Sequence, residues 1–379
     1  MILDYPTLKL IWWLLVGVLL IGFAIMDGHD MGVGTLLPFV GRDDTERRVV
    51  INTVGPHWDG NQVWFITGGG AIFAAWPIVY ATAFSGFYWA MLAVLWALFF
   101  RPVGFDYRSK IADPRWRKTW DWCLFAGGFV PPVIFGVAFG NLLQGVPFHF
   151  DAAMTPYYTG SFWALLNPFA LLCGVVASAM FIAQGAAYLA HRTEDAVQAR
   201  ARKALLWAGV VLLVAFTLAG VWVQFIPGYV VTGGLDPAAA SNPLAKTVAR
   251  ESGAWMANYR AAPALLIVPA LAYVGVAAAL WLSKRGRTLA AFVATSLAIV
   301  GVIGTAGASM FPFVMPSSTV AAASLTLWDA VSSHRTLSIM FWAALVFMPL
   351  IVAYTSWAYK VMSGKVTAAY VRENDHTAY

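Results

Sequence analysis

Long apolar runs alternate with short polar links along the whole chain. About 20 consecutive apolar residues cross the hydrocarbon core of a bilayer, so this pattern predicts an all-α integral membrane protein. The nine predicted membrane-spanning segments are 8–35, 50–75, 78–105, 119–145, 161–190, 204–226, 262–283, 288–310 and 336–361. The longest link, 227–261, is predicted to be a surface excursion on one side.

The composition supports this interpretation. Of the 379 residues, 60% are hydrophobic and only 11% are charged, whereas a soluble globular chain carries about 25% charged residues. A water-soluble enzyme and a disordered protein are therefore excluded. The first run lacks a small-residue cleavage site, so we expect a retained helix and no signal peptide. Two cysteines inside apolar runs offer neither a disulfide framework nor a CxxC metal site.

The cationic side chains predict the orientation of the chain. Nineteen of the 24 lysines and arginines lie in the odd-numbered links and the C-terminal tail. Because cytoplasmic links carry the excess of Lys and Arg, we expect the N-terminus outside and the C-terminus in the cytoplasm. The positive charge is thus a topology signal, and nucleic-acid binding is not expected.

Several ionisable residues fall inside predicted spans, where each costs about 2.5–3.5 kcal/mol on insertion scales. Asp27 and Asp30 are three residues apart and share one helix face. Arg101 closes the third span and Asp121 opens the fourth. One hypothesis is a buried ion-pair cage that joins these four residues at the helix ends. The alternative hypothesis is that some of the carboxylates relay protons.

The second span begins with an unusually polar stretch. His57 and Asn61 share one face, and Asp59 and Gln62 share another. His29 and His57 are predicted near the same membrane face, so a haem held by both is geometrically conceivable. Two hydrogen-bonded helix-end histidines are the commoner arrangement, and we expect this chain to bind no haem and no metal. The other histidines lie at span ends, in links or in the tail: His149, His191, His334 and His376.

Two further features suggest packing or contact with a partner. Trp64 lies in the second span beyond the polar stretch, where packing alone would explain it. The eighth span ends in a rigid, non-helical segment that contains Met310, Phe311, Pro312, Phe313 and Pro316. Such an apolar segment, if exposed, needs a cover of lipid or protein. We interpret it as an interface with a partner subunit.

Four long motifs resemble subunit II of the bacterial cytochrome bd quinol oxidases, and the similarity runs essentially end to end. These motifs are HWDGNQVW at 57–64, FFRPVGFDYR at 99–108, GNLLQGVPF at 140–148 and MFPFVMPSS at 310–318. His29 departs from the family, which more often has an aromatic residue there.

The resemblance implies a single membrane domain, 1–379, of nine helices in the bacterial cytoplasmic membrane. Two four-helix bundles are expected, 8–145 and 161–283 plus 288–310, with 227–261 as outer loop and 336–361 as peripheral helix. It also implies a similar partner, subunit I, which holds two b haems and haem d and oxidises quinol, either ubiquinol or menaquinol. Oxygen is expected to be reduced to water there with cytoplasmic protons, which would generate a proton-motive force without pumping.

The resemblance also implies roles for particular residues of this chain. Asp59 matches a position on a proton route, to which His57 is assigned as well, and Trp64 matches a position beside an oxygen path. Asp30, Arg101 and Asp121 match positions that keep the haem site intact. A structural quinone and small single-span accessory subunits are compatible with the family. The alternatives from the residues alone are a secondary transporter, which has midplane polar sites and repeated halves, and a purely scaffolding subunit.

Overall fold

The computed structural model describes residues 3–374 and Tyr379, so His376 lies outside the described residues. The helices are α1 Tyr5–Val40, α2 Asp44–Val54, α3 Trp58–Ala75, α4 Pro77–Gly86, α5 Tyr88–Tyr107, α6 Pro114–Gln144, α7 Pro168–Arg192, α8 Asp195–Val223, α9 Ala257–Ala261, α10 Ile267–Lys284, α11 Thr288–Met310, α12 His334–Val361 and α13 Ala368–Glu373. The strands are β1 Phe148–Phe150, β2 Pro156–Tyr158, β3 Pro227–Gly233, β4 Thr247–Ser252, β5 Phe313–Met315 and β6 Leu325–Thr326.

The described helices confirm the predicted class of fold. Eight helices are long and apolar enough to cross a bilayer, and α3 with α4 forms a ninth candidate that is bent by 118°. The predicted boundaries of four spans are wrong, including the sixth, 204–226, whose helix α8 already begins at Asp195. The run 50–75 is divided by the Gly55–His57 turn, and the run 78–105 is divided at Phe87. The fifth helix begins at Pro168, where Asn167 caps its first turn.

The helices form two groups of four around a central pair. α1 packs with α3 and α6, α5 packs on α6, and α7 packs with α8, α10 and α11. α1 and α7 cross directly, and α12 lies at the edge of the structure against α1 and α3. Glycines allow this crossing: a Cβ at Gly32 would lie 2.0 Å from the carbonyl oxygen of Phe181, and one at Gly185 would lie 2.5 Å from the carbonyl carbon of Gly32. The backbones of α1 and α7 therefore touch without intervening side chains.

One end of the helix assembly carries the three hairpins β1–β2, β3–β4 and β5–β6, all antiparallel. The link 227–261 contains β3, β4 and α9. A buried ion pair of 2.6 Å joins Lys246 to Asp329 and ties this link to the segment before α12. Burial lowers the pKa of Lys246, and the Asp329 carboxylate opposes this shift. The pair therefore fixes the longest link to the body of the protein.

The opposite end carries the basic links. Arg200 Nε donates to the Val40 carbonyl at 2.7 Å, and the amide of Val366 donates to the Arg192 carbonyl at 2.8 Å. These bonds bring together the α1–α2 link, the α7–α8 link and the C-terminal segment. This is the end that the charge distribution predicts to face the cytoplasm.

Gly32→Ala should lower the thermal midpoint of the purified complex, because the added methyl must push α1 and α7 apart. Overpacking of this kind costs about 1–3 kcal/mol. Gly17→Ala on the same helix is the matched control, since a Cβ at Gly17 meets no atom within 4 Å. Equal midpoints for the two variants would show that the crossing does not depend on the glycine.

Candidate functional site

A buried ion pair lies near the basic end of α1. Arg101 on α5 donates through both terminal nitrogens to the Asp27 carboxylate, and its Nη1 lies 3.1 Å from Asp27 Oδ2. Arg101 is 2% exposed and Asp27 is 1% exposed. Arg101 also lies 3.9 Å from Asp30 Oδ2, too far for a hydrogen bond. The predicted association of Asp27, Asp30 and Arg101 is therefore present, with Asp27 as the direct partner.

Asp121 belongs to a different cluster, so its predicted place in a single cage around Arg101 is wrong. Arg108 Nε donates to Asp121 Oδ1 at 2.6 Å, and Arg47 Nη1 donates to Asp121 Oδ2 at 2.8 Å. Arg108 also reaches Asp44 on α2 at 3.0 Å. The cause is depth: Asp121 lies two turns into α6, level with the basic link and not with Arg101. Sequence reasoning counted Arg108 and Arg47 only as topology charges.

Asp30 is the centre of a second buried set of polar groups. Asn61 donates its amide to Asp30 Oδ2 at 2.7 Å, and His29 Nε2 lies 3.2 Å from Asp30 Oδ1. His57 precedes α3 and directs Nδ1 towards the same oxygen at 4.0 Å. All four residues are buried.

Two tyrosines that sequence reasoning missed complete this set. Tyr188 on α7 bonds His57 Nε2 at 2.8 Å, and Tyr359 on α12 donates to Asn61 Oδ1 at 3.0 Å. Both lie in apolar runs where no spacing marks them as polar partners. The only available signal was a hydroxyl in a span, which requires a hydrogen-bond partner when it is buried. We call Asp30, His29, His57, Asn61, Tyr188 and Tyr359 the Asp30 cluster.

Asp59 lies apart from the Asp30 cluster. It is exposed in the first turn of α3, and among the described residues no hydrogen bond or ion pair engages its side chain. His57 and Asn61, which the spacing places on a different face from Asp59, point inwards. Asp59 instead lies on the helix face of Ile66 and Phe73, both exposed.

Trp64 is half-buried and packs on α1. A Cβ at Gly22 would lie 2.3 Å from Trp64 Cε3, so the indole rests directly on this glycine. The next residue, Phe65, lines a cavity of about 320 Å³ between the two helix groups. Its lining includes Phe23, Phe135 and Met180, and no Asp, Glu, Lys or Arg belongs to the described lining. This is the environment in which apolar molecules dissolve.

The segment 310–316 is covered by this chain, so the premise that it is exposed is wrong. Met310, Phe313 and Pro316 are buried. Phe313 packs against Tyr229 and Trp255, with ring centroids 5.9 and 6.3 Å apart. Residues of the link 227–261 therefore cover this segment, where the sequence analysis predicts contact with a partner subunit.

Phe311, Pro312 and Val314 of this segment are partly exposed. Phe311 packs edge-on against Trp13 at 5.3 Å. The segment is also joined to the 140–148 motif, since the amide of Val146 donates to the Pro316 carbonyl at 2.9 Å. A role of this segment as a subunit interface remains a prediction, and within 310–316 these three side chains are the ones available for it.

The residues of the Asp30 cluster do not fit a haem. The rings of His29 and His57 are 5.8 Å apart, and each packs against a tyrosine ring: His29 against Tyr188 at 4.2 Å and His57 against Tyr359 at 4.6 Å. A porphyrin held by both imidazoles would have to occupy the space of these tyrosines.

Fold and site together define a helical integral membrane protein with two buried charge clusters at one end and an apolar cavity between its helix groups. The sequence model of the family described as "Cytochrome bd terminal oxidase subunit II" matches residues 8–362. The chain belongs to this family. It is a subunit of a cytochrome bd quinol oxidase in the bacterial inner membrane, and a partner subunit follows from that membership.

Individual relatives agree. The chain is 57% identical over 378 residues to "Cytochrome bd-I ubiquinol oxidase subunit 2" of Escherichia coli (strain K12), with all of both chains covered. It is 33% identical over 357 residues to "Cytochrome bd ubiquinol oxidase subunit 2" of Bacillus subtilis (strain 168), covering 94% of this chain and 96% of that one. These matches exclude the secondary-transporter alternative.

A solved structure shows the same fold. A chain in the structure of bd oxidase from Geobacillus thermodenitrificans superposes with a TM-score of 0.69 at 13% identity, covering 94% of this chain and 98% of that chain. At this identity the likeness supports the helix arrangement alone.

Arg101→Ala should destabilise the complex by about 3–5 kcal/mol, because it leaves Asp27 and Asp30 buried without their cation. We expect loss of haem-containing complex from the membrane and a lower thermal midpoint for what remains. Arg115→Ala is the control, since Arg115 is exposed on α6. Full haem content and an unchanged midpoint in Arg101→Ala would contradict the importance of the ion pair.

Proposed function

We propose that this chain is the haem-free subunit of the oxidase, which supports assembly of the haem-bearing subunit I, borders the path of oxygen and delivers cytoplasmic protons for the reduction of O₂ to water. The observation that carries this proposal is the position of Asp59 at the end of an exposed apolar face. When a second membrane subunit covers such a face, a carboxylate at its rim can pass protons between water and the covered interior.

The apolar face is formed by α3, α4 and α5 and is large enough to require a cover. Its exposed side chains are Ile66, Phe73, Phe84, Tyr88, Trp89, Leu95, Trp96, Phe99 and Phe100. We assign this face to subunit I. α12 is a second exposed surface, with Leu337 its one fully buried residue in the described chain. We assign that surface to lipid or to a small single-span subunit.

Asp30, Arg101 and Asp121 support assembly by holding the helices that carry this face. Arg101 fixes α5 to α1, and Asp121 fixes α6 to the end of α5 through Arg108. Asn61 fixes the start of α3 to Asp30. Loss of any of these contacts would misplace the surface against which subunit I has to fold.

Asp59 is the residue of this chain that we assign to proton delivery. It is exposed at the basic end, where water from the expected cytoplasmic side reaches it. His57 was also predicted on this route, but its Nε2 bonds Tyr188 and its Nδ1 faces the Asp30 cluster. We therefore place His57 with the structural groups and Asp59 alone on the route.

Asp59→Asn should leave assembly and haem content near normal and slow turnover and proton uptake. An amide keeps the shape of the side chain but cannot bind and release a proton, and a positioned proton-transfer group contributes about 10²–10⁴-fold to rate. We expect a loss at the lower end of this range, measured as quinol oxidase turnover and proton uptake after oxygen is added to the reduced complex.

Glu373→Gln is the matched control, because Glu373 is an exposed carboxylate at the same end of the chain. Its turnover should equal that of the wild type. If Asp59→Asn also turns over at the wild-type rate, protons enter through subunit I alone. If it loses haem, Asp59 is a structural residue.

Trp64 is the residue that we assign to the oxygen path. Oxygen is apolar, and the Trp64 indole rests on Gly22 beside Phe65, which lines the apolar cavity. Replacing the indole with a smaller side chain would widen the route between the covered face of α3 and the interior. The same cavity is the place where we expect the isoprenoid tail of a structural quinone, because its lining is apolar and enclosed by helices.

Trp64→Ala should raise the rate of oxygen binding to the reduced complex several-fold and leave haem reduction by quinol unchanged. Flash photolysis of the reduced complex inhibited with carbon monoxide, in the presence of oxygen, measures the rate of oxygen binding. Stopped-flow mixing with quinol measures the rate of haem reduction. Trp207→Ala is the control, since Trp207 is exposed on α8, away from α3. An unchanged oxygen rate would leave packing as the only role of Trp64.

A further inference from the structure

The Asp30 cluster contains a set of hydrogen-bond acceptors that face one another. His29 Nε2, Asp30 Oδ1 and His57 Nδ1 all lie within 4.8 Å of each other, and all three residues are buried. Asp30 Oδ1 is fully shielded and has no hydrogen-bond partner among the described residues. An unpaired carboxylate oxygen at such a depth is costly, so the arrangement needs a positive charge there.

The outer hydrogen bonds of the two imidazoles determine which nitrogens are free to bind a cation. His29 Nδ1 lies 3.0 Å from the Ile25 carbonyl, which can only accept, so Nδ1 carries the hydrogen and neutral His29 presents the lone pair of Nε2. Tyr188 donates to the Thr53 carbonyl at 3.3 Å and accepts from His57 Nε2 at 2.8 Å. His57 therefore presents the lone pair of Nδ1.

Tyr359 adds a fourth oxygen to this set. Its hydroxyl hydrogen is donated to Asn61 Oδ1 at 3.0 Å, so its oxygen presents lone pairs. This oxygen lies 3.4 Å from both His29 Nε2 and His57 Nδ1. The Asn61 amide is the one donor in the described chain that approaches His57 Nδ1, at 3.2 Å, and it is already bonded to Asp30 Oδ2 at 2.7 Å.

We propose that His29, Asp30 and His57 bind a divalent metal ion of the zinc class, with Tyr359 at the fourth position. Two imidazoles and one carboxylate are typical zinc ligands, and bonds of about 2.0–2.1 Å in a tetrahedron place neighbouring ligand atoms about 3.4 Å apart. The distances here are 3.2 Å from His29 to Asp30, 4.0 Å from His57 to Asp30 and 3.4 Å from Tyr359 to each imidazole. Small movements of side chains reach that geometry.

The hydrogen bonds outside the set have the form that a metal site requires. Ligating histidines characteristically donate the second ring nitrogen to a carbonyl or another acceptor, which fixes the tautomer and the ring orientation. Ile25 does this for His29 and Tyr188 does it for His57. Asp27 and Asp30 contribute two carboxylates here, and Arg101 contacts Asp27 directly. A bound ion would join α1, the start of α3 and α12.

Metal content tests this proposal without reference to activity. The assembled complex is incubated with Zn²⁺, passed through a chelating column and analysed by mass spectrometry for zinc per haem-containing complex. We expect about one tightly held zinc in the wild type and close to none in His29→Phe, whose aromatic ring keeps the packing against Tyr188. His149→Phe is the matched control, since His149 lies in β1 at the opposite end, and it should retain the zinc.

A second measurement keeps the proposal falsifiable if His29→Phe fails to assemble. Zinc-edge X-ray absorption of the wild-type complex, which haem iron does not disturb, should show imidazole nitrogens and oxygen at about 2.0–2.1 Å. The proposal is overturned if the wild type retains no stoichiometric zinc, or if His29→Phe retains as much as the wild type. In the first case a shared proton supplies the positive charge between His29 and Asp30.

Discussion

The buried ion pair between Arg101 and Asp27 is the contact on which the basic end of the molecule depends. Both side chains are shielded from water, so neither can lose the other without leaving a bare charge at membrane depth. The pair therefore fixes the depth and rotation of α5 against α1. Because Arg108 follows directly after the end of α5, seven residues beyond Arg101, the second cluster with Asp121 depends on this placement. The contact between Arg108 and Asp121 then positions α6, which carries Asp121.

The same turns of α1 that carry the charges also make the crossing with α7. Gly32 follows Asp30 by two residues, and it touches the backbone of α7 at Phe181 and Gly185. Tyr188, one turn further along α7, reaches His57 in the Asp30 cluster. Close packing of two glycines thus sets the distance between Asp30 and a hydroxyl on the other helix group. The close packing of α1 on α7 and the hydrogen bonds of the Asp30 cluster therefore depend on each other.

Sequence reasoning predicted the features that depend on local pattern. Nine spans followed from runs of apolar residues, and the shared face of Asp27 and Asp30 followed from their spacing. Ion-pair partners depend on the relative depth of different helices, which no local pattern records, so Asp121 was assigned to the wrong arginine. Tyr188 and Tyr359 were missed for the same reason: each contacts His57 or Asn61 across more than 100 residues of sequence. The cover over Phe313 also comes from distant residues, Tyr229 and Trp255.

The polar stretch at the start of α3 illustrates why sequence neighbours can have different roles. His57 precedes the first helical residue, whereas Asp59 lies within the first turn, and successive helical residues are rotated by about 100°. His57 and Asn61, four residues apart, consequently face the interior, and Asp59 faces outwards. The polar groups on the interior side find their hydrogen-bond partners within this chain. Their arrangement can therefore be described from the single subunit. The outward side has no such partners in the described chain, and its chemistry is therefore completed by whatever covers the apolar face. A single short motif in this way serves the stability of one subunit and the contact with another.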